Sequence, residues 1–202
     1  NQNYEMAARA GYYAAAYWHE GEAGDKAVEY WQAAFDNAEK AANSLFMAKS
    51  AYWLSTSYFN QEQWIDALPH CLKALELYNK KPNAERYQFS LTEMLGFIYY
   101  KQQDFEQAYS YFDNGLKAAK KLNNTKYEAR FLRNIGLIHR DKREYRQAKE
   151  YFHMALSIQP DPEDKLRIYL SYAKLYREMN RSDSTIFYLN MLKERISDIN
   201  YS

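Results

Sequence analysis

Small residues recur in this 202-residue chain at a spacing that closely packed helices require. A first small position is held by Ala15, Ser55, Gly96, Gly136 and Ala173, and a large ring follows three residues later at Trp18, Tyr58, Tyr99, His139 and Tyr176. A second small position is held by Ala27, Ala67, Ala108, Ala148 and Thr185, at intervals of 40, 41, 40 and 37 residues. A bulky residue stands four further on, at Trp31, Cys71, Phe112, Phe152 and Leu189. A third small position, Ala34, Ala74, Gly115 and Ala155, gives way to Leu192 in the last copy. Two antiparallel helices approach closely only where small residues sit at the crossing, and large rings fill the gaps beside it. One helical hairpin cannot bury its apolar faces alone, so successive hairpins must stack.

Composition supports this and excludes the alternatives. Six Gly and four Pro are too few for the many turns of a sandwich or barrel. Twenty-one Tyr, ten Phe and four Trp supply a large core, which argues against disorder. With 27 basic and 26 acidic residues the net charge is +1, so no global pull toward nucleic acid or membrane is expected. The lone Cys71 excludes an internal disulfide and a cysteine-based zinc site. The longest apolar stretch, Gly11 to Trp18, is too short to span a bilayer, and no signal peptide is visible. The chain starts at Asn1, which points to a processed product or an excised fragment.

Two copies are the most alike. Leu95-Gly96-Phe97-Ile98-Tyr99 through Ala108 to Phe112 matches Ile135-Gly136-Leu137-Ile138-His139 through Ala148 to Phe152. These residues resemble the tetratricopeptide repeat family, and the ~40-residue interval resembles its long-helix subclass in bacterial regulatory and sensor proteins. The stretch from Asn180 to Leu189 is similar to repeats of such regulators. The resemblance implies an all-α fold, a right-handed α-solenoid of about five hairpins. The expected repeats are 8–47, 48–88, 89–128, 129–165 and 166–200, in a single array over 1–202 that is part of a longer protein. Asp25, Asp104 and Ser182 are expected N-caps, and breaks are expected at Lys80–Asn83, Asn123–Thr125 and Gln159–Pro162. The last helix, Ser184 to Ile199, carries Ile186, Phe187, Leu189, Met191, Leu192, Ile196 and Ile199, more apolar surface than one neighbour covers.

Motifs of catalysis are lacking. There is no phosphate-cradling glycine loop, and Gly21-Glu-Ala-Gly24 is too short for one. His19, His70, His139 and His153 show no ligand spacing. His139 fills a slot held elsewhere by rings, and Cys71 one held by Trp or Phe, so both are expected to be packed and unreactive. No enzyme activity, cofactor or metal is expected.

In the family's geometry the first helix of each repeat lines the concave side, at positions six and three before the first small residue and one and four after it. Repeats one to three then present Tyr12, Tyr52, Phe59, Phe97 and Tyr100. Repeats four and five present Arg130, Arg133, Arg140, Arg167, Lys174 and Arg177 with no acid at those positions, and Asn134 stands beside them. Arginine forks grip carboxylates in pairs, and tyrosines offer contact area with few rotors to freeze. The expected ligand is a protein or peptide with an acidic segment. The competing expectation is that the rings pack between adjacent first helices and each Arg pairs with an acid such as Asp141 or Glu178. Family members that hold the carboxylate of chaperone peptides use Lys, Asn and Arg where this chain has Tyr12, Ala16, Thr56, Ser90 and Met94, so that mode is unsupported.

The function expected is therefore a non-catalytic protein- or peptide-binding scaffold, with a sensory or regulatory module of a larger bacterial signalling or transcription-regulating protein as the alternative. Nucleic acid is not an expected partner, and no membrane insertion of this segment is expected. Self-association through the last helix is an open expectation, as is the compartment, cytoplasmic or periplasmic. A double substitution, Arg133→Glu with Arg177→Glu, is expected to leave folding nearly unchanged.

Overall fold

The computed structural model describes the backbone of residues 2–20 and 24–200 and the side chains of 2–19 and 25–194. Every element among them is an α-helix: α1 (Gln2–Glu20), α2 (Gly24–Lys40), α3 (Ser44–Asn60), α4 (Trp64–Asn79), α5 (Glu85–Lys101), α6 (Phe105–Lys121), α7 (Thr125–Asp141), α8 (Tyr145–Ser157), α9 (Pro162–Glu178) and α10 (Ser182–Asn200). The chain forms two compact units, Asn1–Gln103 with α1 to α5 and Asp104–Ser202 with α6 to α10.

The slots inferred from spacing are the core of both units. Ala15, Ser55, Ala27, Ala67, Ala34 and Ala74 are wholly buried in the first, as are Ala108, Ala148 and Ala155 in the second. Trp31 and Phe112 are each 1% exposed, and Cys71 and Phe152 are fully enclosed. Glycine is required twice by close approach. A Cβ on Gly115 would run into the Phe131 ring, and one on Gly136 would lie 2.5 Å from Phe152 Cε1 and 3.3 Å from the Ala148 carbonyl. The fifth copy departs where its sequence departs: Thr185 and Leu192 are half-buried and Leu189 is 47% exposed.

The first helices begin at residues 2, 44, 85, 125 and 162, four to six before the expected repeat starts. The lag has a cause: the frame was set by the small-residue and ring slots, and each first helix opens at least one turn ahead of the expected repeat start. The three expected breaks all separate helices. Of the expected caps only Asp104 acts as one, its side chain accepting from Gln107 N–H at 3.1 Å. Asp25 lies inside the first turn of α2, and Ser182 is the first residue of α10. Caps that went unrecognised are Asn43, which accepts from Leu45 and Phe46, Asn124, which accepts from Tyr127, and Asp161, which accepts from Asp164 at 2.8 Å.

The turns between helices share one geometry. Ala42, Glu62, Asn83, Gln103, Asn123, Arg143, Gln159 and Asn180 all have φ between 53° and 62°. After α3, Glu62 N–H bonds the Phe59 carbonyl and Gln63 N–H bonds that of Tyr58, and the same double closure follows α7 at Arg143 and Glu144. Glycine is the usual residue at this helix end, because a side chain there crowds the backbone. Glu62→Gly and Arg143→Gly are each expected to stabilise the fold by roughly 0.5–1 kcal/mol, less where Asn, which tolerates this region, is replaced, as in Asn123→Gly. Calorimetric melting of the three variants checks this, and a fall in melting temperature at Arg143→Gly would refute it.

Candidate functional site

In the first unit Phe59, Phe97 and Tyr100 pack on one another, whereas Tyr12 and Tyr52 pack on other rings. Trp53 Nε1 donates to the Tyr12 hydroxyl at 3.1 Å, and Tyr12 meets Phe46 edge-on with centroids 5.7 Å apart. Tyr52 stands edge-on to Tyr87 at 5.1 Å, its hydroxyl 3.4 Å from Ser90 Oγ. Phe59 meets Phe97 at 6.4 Å, and Phe97 meets Tyr100 at 6.1 Å. All five are half-buried, so each ring supports a neighbour and keeps part of its surface open. Burial raises the Tyr12 pKa, against the hydrogen bond from Trp53, which lowers it. Lys49 Nζ hangs 5.5 Å over Tyr12 and 5.6 Å over Phe46, a cation held on the ring faces. Phe46 and Tyr87 went unrecognised. Both lie nine residues before the first small position, one turn further along the same helical stripe.

The second unit corrects the reading of six uncommitted cations. Arg130 Nε donates to both oxygens of Asp164, at 2.9 and 3.0 Å, and that carboxylate is 2% exposed. Burial raises the Asp164 pKa, and the Arg130 charge opposes the rise. Arg140 pairs with Asp141 and Glu178, the acids named as alternatives, and Arg167 bonds Glu163 at 2.6 Å. Arg133 is half-buried, its Nε donating to Ser171 Oγ at 3.1 Å and to the Arg167 carbonyl at 3.4 Å. It also donates to Asn134 Oδ1 at 3.0 Å. Asn134 is fully enclosed, leaving no surface for a peptide amide to reach. Four expected site cations thus bind α7 to α9 or brace a single helix, and Arg133→Glu would disturb folding rather than leave it unchanged.

Two cations remain of a different kind. Lys174 and Arg177 are exposed on α9, and no hydrogen bond or ion pair of their side chains is found among the described residues. Arg177 also lines an open pocket of about 360 Å³ with Asn180, Arg181, Ser182, Thr185 and Ile186, a wall with two guanidinium groups and no carboxylate. Arg181 was not on the expected list, because it lies in the turn after the first helix and outside the repeat register.

Cys71, His139 and His70 are packed. Cys71 is buried, its pKa pushed up by desolvation, with Sγ 3.5 Å from the Leu91 carbonyl. His139 stacks on Tyr151 at 5.1 Å and its Nδ1 pairs with Glu144. His70 stacks on Tyr58 at 5.6 Å, and burial lowers its pKa. Among the described residues no cluster of three metal-ligating side chains occurs, and no helix is long and apolar enough to cross a membrane.

Residues 87–161 match the sequence profile of the tetratricopeptide repeat family. That segment is built of tetratricopeptide repeats. The all-α solenoid fold of the chain is shared along nearly its whole length by solved structures of low sequence identity. The apo form of RapI is 14% identical, over 96% of this chain and 71% of that one, with a TM-score of 0.82. Aspartyl phosphate phosphatase F from Bacillus subtilis is 15% identical, over 98% and 52%, with a TM-score of 0.80. The Rap conjugation gene regulator of plasmid pLS20, in complex with the Phr* peptide, is 18% identical, over 94% and 53%, with a TM-score of 0.74. The chain spans about half the length of the last two. None of the curated proteins compared resembles the sequence significantly. Tetratricopeptide first helices start here every 37 to 42 residues, longer than the ~34 of the commonest form.

Proposed function

We propose that this chain is a non-catalytic scaffold that binds a protein or peptide with an acidic segment, and that Lys174 and Arg177 receive the acid. The observation that carries the reading is the contrast within one cluster. Arg130, Arg140 and Arg167 already face carboxylates, whereas Lys174 and Arg177 are exposed without one among the described residues. An exposed cation that no neighbour neutralises can bind an incoming carboxylate without first breaking a pair. The pLS20 regulator, which has the same fold, is solved with a peptide bound. Self-association belongs to the same reading, since Ile186, Phe187 and Leu189 stand 55, 57 and 47% exposed on α10.

The alternative, a sensory or regulatory module of a longer signalling protein, is favoured by length, because two proteins of this fold are about twice as long. Peptide-library selection tests the first reading. Wild-type chain is expected to enrich peptides with clustered Asp and Glu. Lys174→Glu with Arg177→Glu is expected to weaken the selected peptide at least tenfold, about 1.4 kcal/mol, with an unchanged melting temperature. Arg146→Glu on α8, whose side chain is 86% exposed, serves as the charge control. Enrichment without acids, or equal binding by the double variant, would sink the proposal.

A further inference from the structure

The second helix of each repeat turns one stripe outward, formed by the residues two before, two after and five after the second small position. Two before it, α2, α6, α8 and α10 carry Asp25, Glu106, Arg146 and Asp183. Five after it they carry Gln32, Asp113, His153 and Asn190. In α4 the same two places hold Ile65 and Leu72. Ile65 is 81% and Leu72 41% exposed, and Pro69, between them on the stripe, is exposed as well. That middle place is Glu29, Ser110, Glu150 and Phe187 in the other repeats.

Spacings of four and three residues set Ile65, Pro69 and Leu72 in one line along α4. At ~1.5 Å per residue the line is about 10 Å long. The outer face of an amphipathic helix is ordinarily polar, so an aliphatic line there marks a contact surface. α4 packs on α3 and on α5, and the line stays exposed on its outer side.

The charge beside this line is mostly negative. Phe35 of α2 meets His70 of α4 edge-on at 6.3 Å, so α2 flanks α4 on the side where Asp66 and His70 stand one turn apart. Burial lowers the His70 pKa and the charges of Asp66 and Asp36 oppose it, which sets both acids beside the ring. Asp25, Glu29, Asp36 and Asp66 are exposed, with no ion pair among the described residues. The cations of the two helices are engaged. Lys26 stands 4.5 Å over Trp18 and Lys40 5.7 Å over Tyr4, while Lys73 and Lys80 pair with Glu76 at 3.3 and 2.7 Å.

We propose that this face, α4 with the flank of α2, docks a basic amphipathic helix of a partner protein. Its apolar side chains lie on Ile65, Pro69 and Leu72, and its Lys or Arg residues meet Asp36 and Asp66. A helix supplies apolar residues at spacings of three and four, matching the line on α4. Carboxylates that no cation neutralises favour a partner of opposite charge at the border of the contact. The site is independent of the acid-binding reading of α9, whose charge has the other sign.

Fluorescence anisotropy of the full chain with three labelled 14-residue peptides tests it. The first has Leu on one helical face and Lys on the other, the second has Glu in place of each Lys, and the third is the first with a central Pro. Wild type is expected to bind the Leu–Lys peptide at least tenfold more tightly than either of the others, because Pro breaks the helix and Glu reverses the charge. Ile65→Gln with Leu72→Gln, and Asp36→Asn with Asp66→Asn, are each expected to weaken that peptide at least tenfold. Melting temperatures are expected to stay at the wild-type value, since all four side chains are exposed. Arg146→Gln with His153→Gln, at the matching places of α8, is expected to bind as wild type does. Added salt is expected to weaken wild type more than Asp36→Asn/Asp66→Asn. No binding by wild type, equal binding of the three peptides, or an affinity left unchanged by either pair of substitutions on this face would overturn the proposal.

Discussion

Gly136→Leu is expected to cost the second unit roughly 3 kcal/mol or more, the upper part of the range for overpacking. The site has no slack. A Cβ would fall 2.5 Å from Phe152 Cε1 and 3.3 Å from the Ala148 carbonyl, and Phe152 is fully enclosed, so its ring cannot swing into solvent. The smaller change makes the sign informative. In a helix, Gly→Ala normally gains about 1 kcal/mol, yet Gly136→Ala is expected to lose stability. Gly11→Ala, whose Cβ would meet Ala34 Cβ at 3.3 Å and the Tyr30 carbonyl at 3.4 Å, is the milder comparison. Adding Phe152→Leu to Gly136→Ala should recover part of the loss, since the two share the crowded space. Urea unfolding measures all four variants. A Gly136→Ala chain more stable than wild type would show that the helices do not cross there.

Asp164→Ala is expected to destabilise by about 2–3 kcal/mol, at or below the ~3–5 kcal/mol for breaking a fully buried pair. The discount follows from Arg130, whose side chain is 20% exposed and keeps some water when its partner is gone. Replacing both partners, as Arg130→Met with Asp164→Leu, is expected to return within about 1 kcal/mol of wild type, because no charge is then left alone. The pH dependence has a definite sign. Burial raises the folded pKa of Asp164 above the ordinary 3.8, so between that value and the folded one the native state binds more proton than the unfolded chain. The stability tied to this carboxyl is therefore full below 3.8 and declines as pH rises through the folded value. Asp164→Asn should remove that decline. Unfolding measured against pH checks it, and an unchanged slope would refute the assignment.

Most of the fold was legible because close helix crossings tolerate few residue types. Ala, Ser or Gly at thirteen aligned places is a steric record, and its failures at Thr185 and Leu192 marked the helix on which Leu189 is 47% exposed. Caps were less legible, since Asp25 and Asn43 are equally good acceptors in sequence and only backbone geometry selects between them. The cationic surface misled for a geometric reason. Counting four inward positions per helix omitted the turn before them, and Asp164 stands there, three residues ahead of Arg167 on the same stripe. Glu163 and Glu178 face sideways along α9 and entered no count, although they pair with Arg167 and Arg140. Exposed apolar residues at Ile186 and Phe187 agree with the expected excess on α10, while Ile196 and Ile199 lie outside the residues whose side chains are described.

Within each unit, every helix packs only on helices one or two places along the chain. Such contacts close loops of a few tens of residues, so little chain entropy has to be overcome before the first of them forms. Topologies of this kind have low contact order and belong among fast folders, with microsecond-to-millisecond times. Nucleation can begin at any well-packed hairpin and spread to its neighbours. The α7–α8 pair, with Gly136 locked under Phe152, is the strongest seed of the second unit, and the exposed side of α10 is the place where its order would be lost first.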